Sequence, residues 1–137
     1  PQPHWGWGKL DVNAAVGAVP QPAGTVPDGK TAPGTPLTVK KATGTQLRLD
    51  WGASCNSVDS DYEVYEGTIG SYYNHSPRLC TTGGATSATF APAAGSRYFL
   101  VVPRDAAHEG SYGLDSNSLE RPIGTSPCLP RSISACP

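Results

Sequence analysis

The 137-residue chain contains no methionine and only two phenylalanines, and neither sign of charge is in excess. Ten Lys and Arg stand against eleven Asp and Glu, a formal charge of −1. That balance excludes the basic footprint of a nucleic-acid binder and of a basic membrane patch. No apolar run approaches the roughly eighteen residues needed to cross a bilayer, so no membrane span is expected. No charged start followed by an apolar stretch reads as a signal peptide. The Cys-x-x-Cys spacing of zinc and thioredoxin chemistry is missing as well. A chain that opens on Pro1 and lacks Met is expected to be a piece of a longer precursor, either naturally processed or cut from it by design.

Sixteen Gly and fourteen Pro are what is plentiful, and they suit short strands joined by many turns around one modest core. Cys55, Cys80, Cys128 and Cys136 form an even set. Disulfides are the reading, which puts the protein outside the cytosol. The expected pairing is Cys55 with Cys80, worth roughly 3 kcal/mol on the chain-entropy account, and Cys128 with Cys136, closing a short Pro-containing loop.

The pattern divides the chain into four segments. Residues 1–19 hold a helix of about two turns: Val12, Ala15, Val16 and Val19 form the stripe, Asp11 caps the start and Pro20 ends it. Helices this short are marginal alone, so the stripe, with Trp5 and Trp7 beside it, needs covering by an upstream domain, a neighbouring copy or the domain C-terminal to it. Residues 20–35 read as an extended, partly stiff Pro/Gly-rich linker between two units. Residues 36–122 carry β-prone runs at Leu37–Lys41, Gln46–Trp51, Tyr62–Glu66, Ser87–Phe90 and Arg97–Val102, with a last one near Tyr112–Ser116. Leu47, Leu49 and Trp51 alternate with Arg48 and Asp50, as a strand with one buried face should, and Tyr62, Val64 and Glu66 lie in another alternating run. Tyr98–Val102 is almost continuously apolar, which predicts a central strand covered on both faces. With no helix between the strands, an all-β antiparallel sandwich is expected. Residues 123–137 form the disulfide-closed tail.

Two resemblances add to this. His4-Trp5-Gly6-Trp7-Gly8-Lys9-Leu10-Asp11 running into Val12–Val19 resembles the closing stretch of the catalytic domain of secreted bacterial subtilisin-like serine proteases, where a Gly-Trp/Tyr-Gly turn enters an Asp-x-x-x-Ala-Val helix. The resemblance implies that the protease machinery lies upstream. Leu49-Asp50-Trp51-Gly52, Tyr62–Glu66 and Tyr98–Pro103, followed by Gly110–Gly113 and Ser116–Ser118, resemble the B, C, F and G strands of fibronectin type III modules, an immunoglobulin-like sandwich. That implies a core role for Trp51 and a corner anchor at Tyr98. The Asp61–Gly84 stretch and the Cys128 tail look like a variant of this module found at the C-termini of secreted bacterial hydrolases.

Chemistry is sparse. Gly124-Thr125-Ser126-Pro127 matches only the start of a subtilisin nucleophile motif and precedes a cysteine loop. Gly110-Ser111-Tyr112-Gly113 lacks the order of a nucleophile elbow. His4, His75 and His108 are far apart in sequence and read as surface imidazoles. Asp59 and Asp61 could supply oxygens to calcium, but no full ligand loop is visible and a solvated, turn-rich loop is the simpler reading. No catalytic residue and no cofactor is therefore expected. Tyr72 and Tyr73, in a Gly-Ser-Tyr-Tyr-Asn turn, are the pair nominated as exposed contacts, with Trp5 and Trp7 as further aromatic surface.

The functional expectation is a non-catalytic, extracellular accessory module of a secreted subtilisin-like endopeptidase, stabilising or anchoring its parent. Two alternatives stand beside it. One is a structural subunit assembling head-to-tail through its N-terminal segment; the other is a module binding carbohydrate or a cell-surface or matrix polysaccharide.

Overall fold

A computed structural model of the chain describes residues 22–136. The expected helix within residues 1–19, with Trp5 and Trp7, lies outside the described residues. Six strands are present: β1 Thr38–Lys41, β2 Leu47–Asp50, β3 Asp61–Thr68, β4 Ser76–Leu79, β5 Ser87–Phe90 and β6 Arg97–Arg104. They form two antiparallel three-stranded sheets, ordered β1-β2-β5 and β4-β3-β6. The described residues contain no helix.

Five of these strands are legible as β-prone runs. β4 is not, because Pro77 interrupts Ser76-Pro77-Arg78-Leu79 and removes a donor. The sheet tolerates it since β4 is an edge strand. Between β1 and β2 the chain reverses through Ala42–Gln46, where the Ala42 N–H donates to the Gln46 carbonyl; Gly44 supplies the positive φ of 64°.

The strand expected near Tyr112–Ser116 does not form. Gly113 takes φ 83°, and the Asp115 carboxylate accepts the N–H groups of Asn117 and Leu119. These contacts fold the stretch into a small loop closed by a Leu114–Glu120 bridge. A second correction concerns β6, which lies at the edge of its sheet while β3 takes the centre. The apolar run in β6 reports coverage of two faces, and coverage does not demand a central place.

The two sheets share one core. Leu49, Trp51 and Phe90 on the β1-β2-β5 side meet Tyr62, Val64 and Val101 from the other sheet, and Trp51 lies edge-on to Tyr62 with centroids 5.7 Å apart. Trp51 therefore fills the core. A second cluster, Tyr65, Val102 and Tyr112, packs on the opposite face of β3 and β6. β3 is consequently buried on both faces, against the one-sided alternation expected of it.

Residues 105–136 cover that second face, and two expectations fall with it. Cys55 pairs with Cys136 and Cys80 with Cys128, so the expected Cys55–Cys80 and Cys128–Cys136 pairing is wrong. Each bond ties the C-terminal stretch to the body, and residues 123–137 are not a self-closed tail. The linker expectation for 20–35 fails over its described part too. Ala23, Val26 and Ala32 are buried, Ala23 bridges Ile133, and the Cys55 N–H donates to the Thr25 carbonyl. Proline here shapes a strap that lies on the domain, since its small residues let it approach closely. At Gly110 a Cβ would collide with the Gly24 carbonyl.

Candidate functional site

The chemically distinctive place in the fold is the interface between the outer face of β3 and the C-terminal layer. Strand alternation sends Glu63 and Tyr65 to this face, opposite Val102 and Leu100 of β6. Glu109 arrives from the other side, in a segment whose N–H donates to the Pro130 carbonyl and whose carbonyl accepts from Ser132. Glu63 and Glu109 are both fully buried. Tyr65 Oη lies 3.1 Å from Glu63 Oε2 and 2.7 Å from Glu109 Oε2, and it accepts the Cys128 N–H at 3.0 Å. Tyr112 Oη donates to Glu109 Oε1 at 2.5 Å.

Counting protons decides the arrangement. A phenol has one proton, and the shorter contact directs that of Tyr65 to Glu109. The Tyr65–Glu63 contact then needs its proton from Glu63, which is held as the neutral acid. Burial pushes the Glu63 carboxyl far above the usual carboxylate range, and the neighbouring Glu109 adds to this; Arg104, 3.9 Å away, opposes it weakly. Burial also raises both phenols, so Tyr65 and Tyr112 stay protonated donors. Glu63 Oε1 is the one oxygen of the network without a hydrogen-bond partner, Arg104 Nη1 lying 3.9 Å from it.

A second polar group continues the network. His75 is fully buried, correcting its reading as a surface imidazole. Its Nε2 lies 3.0 Å from the Pro122 carbonyl, which can only accept, so Nε2 carries the proton and Nδ1 accepts from Tyr98 Oη at 3.1 Å. Burial lowers the His75 pKa and favours this neutral form. His75 also stacks near Tyr112, centroids 5.3 Å apart, and so joins the β4 side of the sheet to the covering layer. Tyr98 therefore anchors His75.

Around this network the other nominated residues scatter. Tyr72 and Tyr73 are exposed, at 61% and 40%, at the turn between β3 and β4. Their rings meet at 60° with centroids 6.0 Å apart, so they form a wedge rather than a flat platform. Asp59 and Asp61 do not share a loop site. Asp59 accepts the Gly24 N–H and the Ser54 hydroxyl, holding the N-terminal strap, and burial raises its pKa. Asp61 accepts from Thr81, Thr82 and Gly84; burial would raise its carboxyl, but these donors outweigh it and bring it to about 2. Among the described residues no group of three or more His, Cys, Asp or Glu is placed to hold a metal ion.

A cleft of about 250 Å³ opens beside β6, between the strap at Thr25–Asp28 and the loop at Ser111–Gly113. Tyr112 belongs to both places: it lines the cleft and its hydroxyl holds Glu109. Sequence reasoning missed Glu63, Tyr65 and Glu109. Alternation in β3 sets Glu63 on the face opposite Tyr62 and Val64, which gives no hint of burial, and Glu109 lies in a stretch without periodicity. The available signal was Tyr65, an aromatic on the face that alternation makes polar. No protein-family model matches this chain, and no curated protein matches it either.

Proposed function

We propose that the chain is a non-catalytic C-terminal accessory module of a secreted subtilisin-like serine endopeptidase, which stabilises or anchors its parent enzyme. The observation that carries this reading is the placement of three motifs. Tyr62–Glu66 and Tyr98–Pro103 lie on adjacent strands of one sheet, and Leu49–Trp51 lies on or next to β2 in the other. In an immunoglobulin-like sandwich, C and F neighbour each other and B faces them, which supports a fibronectin type III-like module. The lack of a seventh strand among the described residues and the added C-terminal layer are departures from that pattern. Two disulfides fit a location outside the reducing cytosol. Burial of Glu63 and Glu109 beneath the covering layer favours a structural role for both carboxyls. Incubation of the chain with an unfolded protein substrate tests the reading. No turnover is expected, and hydrolysis blocked by a serine-directed inhibitor would overturn it.

Exposure of Tyr72 and Tyr73 favours a second reading, a surface-binding module that takes carbohydrate. Retention on insoluble polysaccharide, lost on Tyr72→Ala and Tyr73→Ala, is its expected result. Equal passage of all three proteins counts against it.

A further inference from the structure

The direction of the main-chain groups along β6 can be read from three bonds. Pro103 gives its carbonyl to the Gly110 N–H on the side away from β3, whereas the Ser96 and Arg104 carbonyls accept from Ile69 and Ser60, which flank β3. Groups of alternate residues in an extended strand point to the same edge. Phe99 and Val101 share the parity of Pro103, so their N–H and C=O groups face away from β3. Among the described residues, no main-chain group bonds to them there. Two walls make this edge the floor of the cleft beside β6. On the core side stand Val26 and Leu37, which pack in the cluster of Val101; on the other stands Tyr112, which packs in the cluster of Val102. The walls meet where the Ser111 N–H donates to the Gly24 carbonyl, beside the Gly110–Pro103 bond. The cleft is therefore a slot, closed at the Pro103 end.

A cation stands near that closed end. Arg121 lines the slot, and its Nη1 donates to the Tyr112 carbonyl at 3.3 Å. Among the described residues it takes part in no ion pair. Asp28, the charged residue of the opposite wall, is engaged elsewhere: its carboxylate accepts the Lys30, Thr31 and Ala32 N–H groups. From this we infer that the slot captures the C-terminal end of an extended partner polypeptide, laid parallel to β6 with its terminal carboxylate against Arg121. A ligand residue opposite Leu100 gives its N–H to the Phe99 carbonyl and takes the Val101 N–H, as parallel pairing requires. Just beyond it the ligand must end, because the Gly24–Ser111 bond closes the way, and there its carboxylate meets the guanidinium. An internal segment finds no exit at that end, and the two walls keep the edge of a second sheet away from the floor. Main-chain bonds supply the attachment, and the carboxylate fixes direction and register. The inference goes beyond the accessory-module reading and does not depend on it, so the failure of either leaves the other standing.

Two pools of random hexapeptides, one ending in a free carboxylate and the other amidated, passed over the immobilised full chain, test it. Members of the carboxylate pool should be retained, and the best of them should bind about tenfold or more weakly once amidated. Its binding should shift the Phe99 and Val101 amide signals of the full chain and slow the exchange of both. Arg121→Gln keeps a donor for the Tyr112 carbonyl and removes the charge. With the β3 amides still protected, reporting an intact body, this variant should lose the same tenfold; the amidated pool makes that test on the unaltered chain. Retention of no sequence overturns the assignment, and so does equal retention of the two pools or a set of shifts confined to Tyr72 and Tyr73. Slow exchange of Phe99 and Val101 before any peptide is added also overturns it, since the edge would then be paired already, within the chain or between copies.

Discussion

Glu63 and Glu109 meet at a single phenol oxygen, Tyr65 Oη, at 3.1 and 2.7 Å. Two carboxyl groups and one phenol, all three fully buried, are compatible only if one acid keeps its proton. The covering layer is fastened to β3 through Tyr65 Oη, which bonds Glu109 and the Cys128 N–H, as well as by apolar contact.

Stability should therefore fall as pH rises above the ordinary glutamate range. The folded chain retains the Glu63 proton that the unfolded chain has released, so the contribution is fully present below the unfolded pKa and is lost toward the raised, folded one. The slope is bounded by about 1.4 kcal/mol per pH unit for one proton. Glu63→Gln keeps a donor toward Tyr65 and has no proton to lose. Urea unfolding between mildly acidic and alkaline pH should show a flatter profile for Glu63→Gln than for the unaltered chain, and parallel profiles would refute the assignment.

Removing the two phenol hydroxyls should not cost the same. Tyr65→Phe leaves the Cys128 N–H, Glu63 and Glu109 short of a partner, whereas Tyr112→Phe deprives only Glu109. Each loss at a buried polar group is worth about 1–3 kcal/mol. Denaturant midpoints should rank the unaltered chain first, Tyr112→Phe second and Tyr65→Phe last.

Non-reducing peptide mapping should recover Cys55 linked to Cys136 and Cys80 linked to Cys128. These bonds span 81 and 48 residues, so on the chain-entropy account each contributes roughly 4 kcal/mol. Replacing either pair by alanine should lower the unfolding midpoint and quicken amide exchange of Glu109 and Ser132, whose main-chain bonds lie within the layer that the disulfides hold down.

Gly110→Ala should be destabilising out of proportion to its size. The added methyl meets the Gly24 carbonyl and Ala23, where strap and C-terminal layer cross, and rigid main chain cannot yield there. A loss of about 1–3 kcal/mol is expected from overpacking, together with exposure of the strap to limited proteolysis near Thr25. Gly44→Ala, with open space around its Cβ, offers the contrast: only its positive φ is penalised.

Much of the sandwich is readable in advance because its strands obey local rules. Leu47-Arg48-Leu49-Asp50 alternates and is flanked by turn residues, and Ser87–Phe90 has the bounds its sequence predicts for the same reason. The candidate site is not readable in this way. Glu63 looks like the polar half of an amphipathic strand until something covers it, and nothing in Asp105–Cys136 has a period that announces a layer. His75 comes after an exposed aromatic turn in sequence, yet three dimensions turn it inward onto Pro122 and Tyr98.

By itself, then, the amino-acid order determined the all-β class, most strand positions, the core role of Trp51 and the oxidised state of four cysteines. These depend on periodicity, turn chemistry and parity, which act over a few residues. Only the tertiary structure decided which cysteines join, that the Pro-rich strap lies on the domain, and that two distant glutamates share Tyr65. Those outcomes depend on which surfaces remain uncovered once the sheets have formed, and neighbours in sequence carry no record of that.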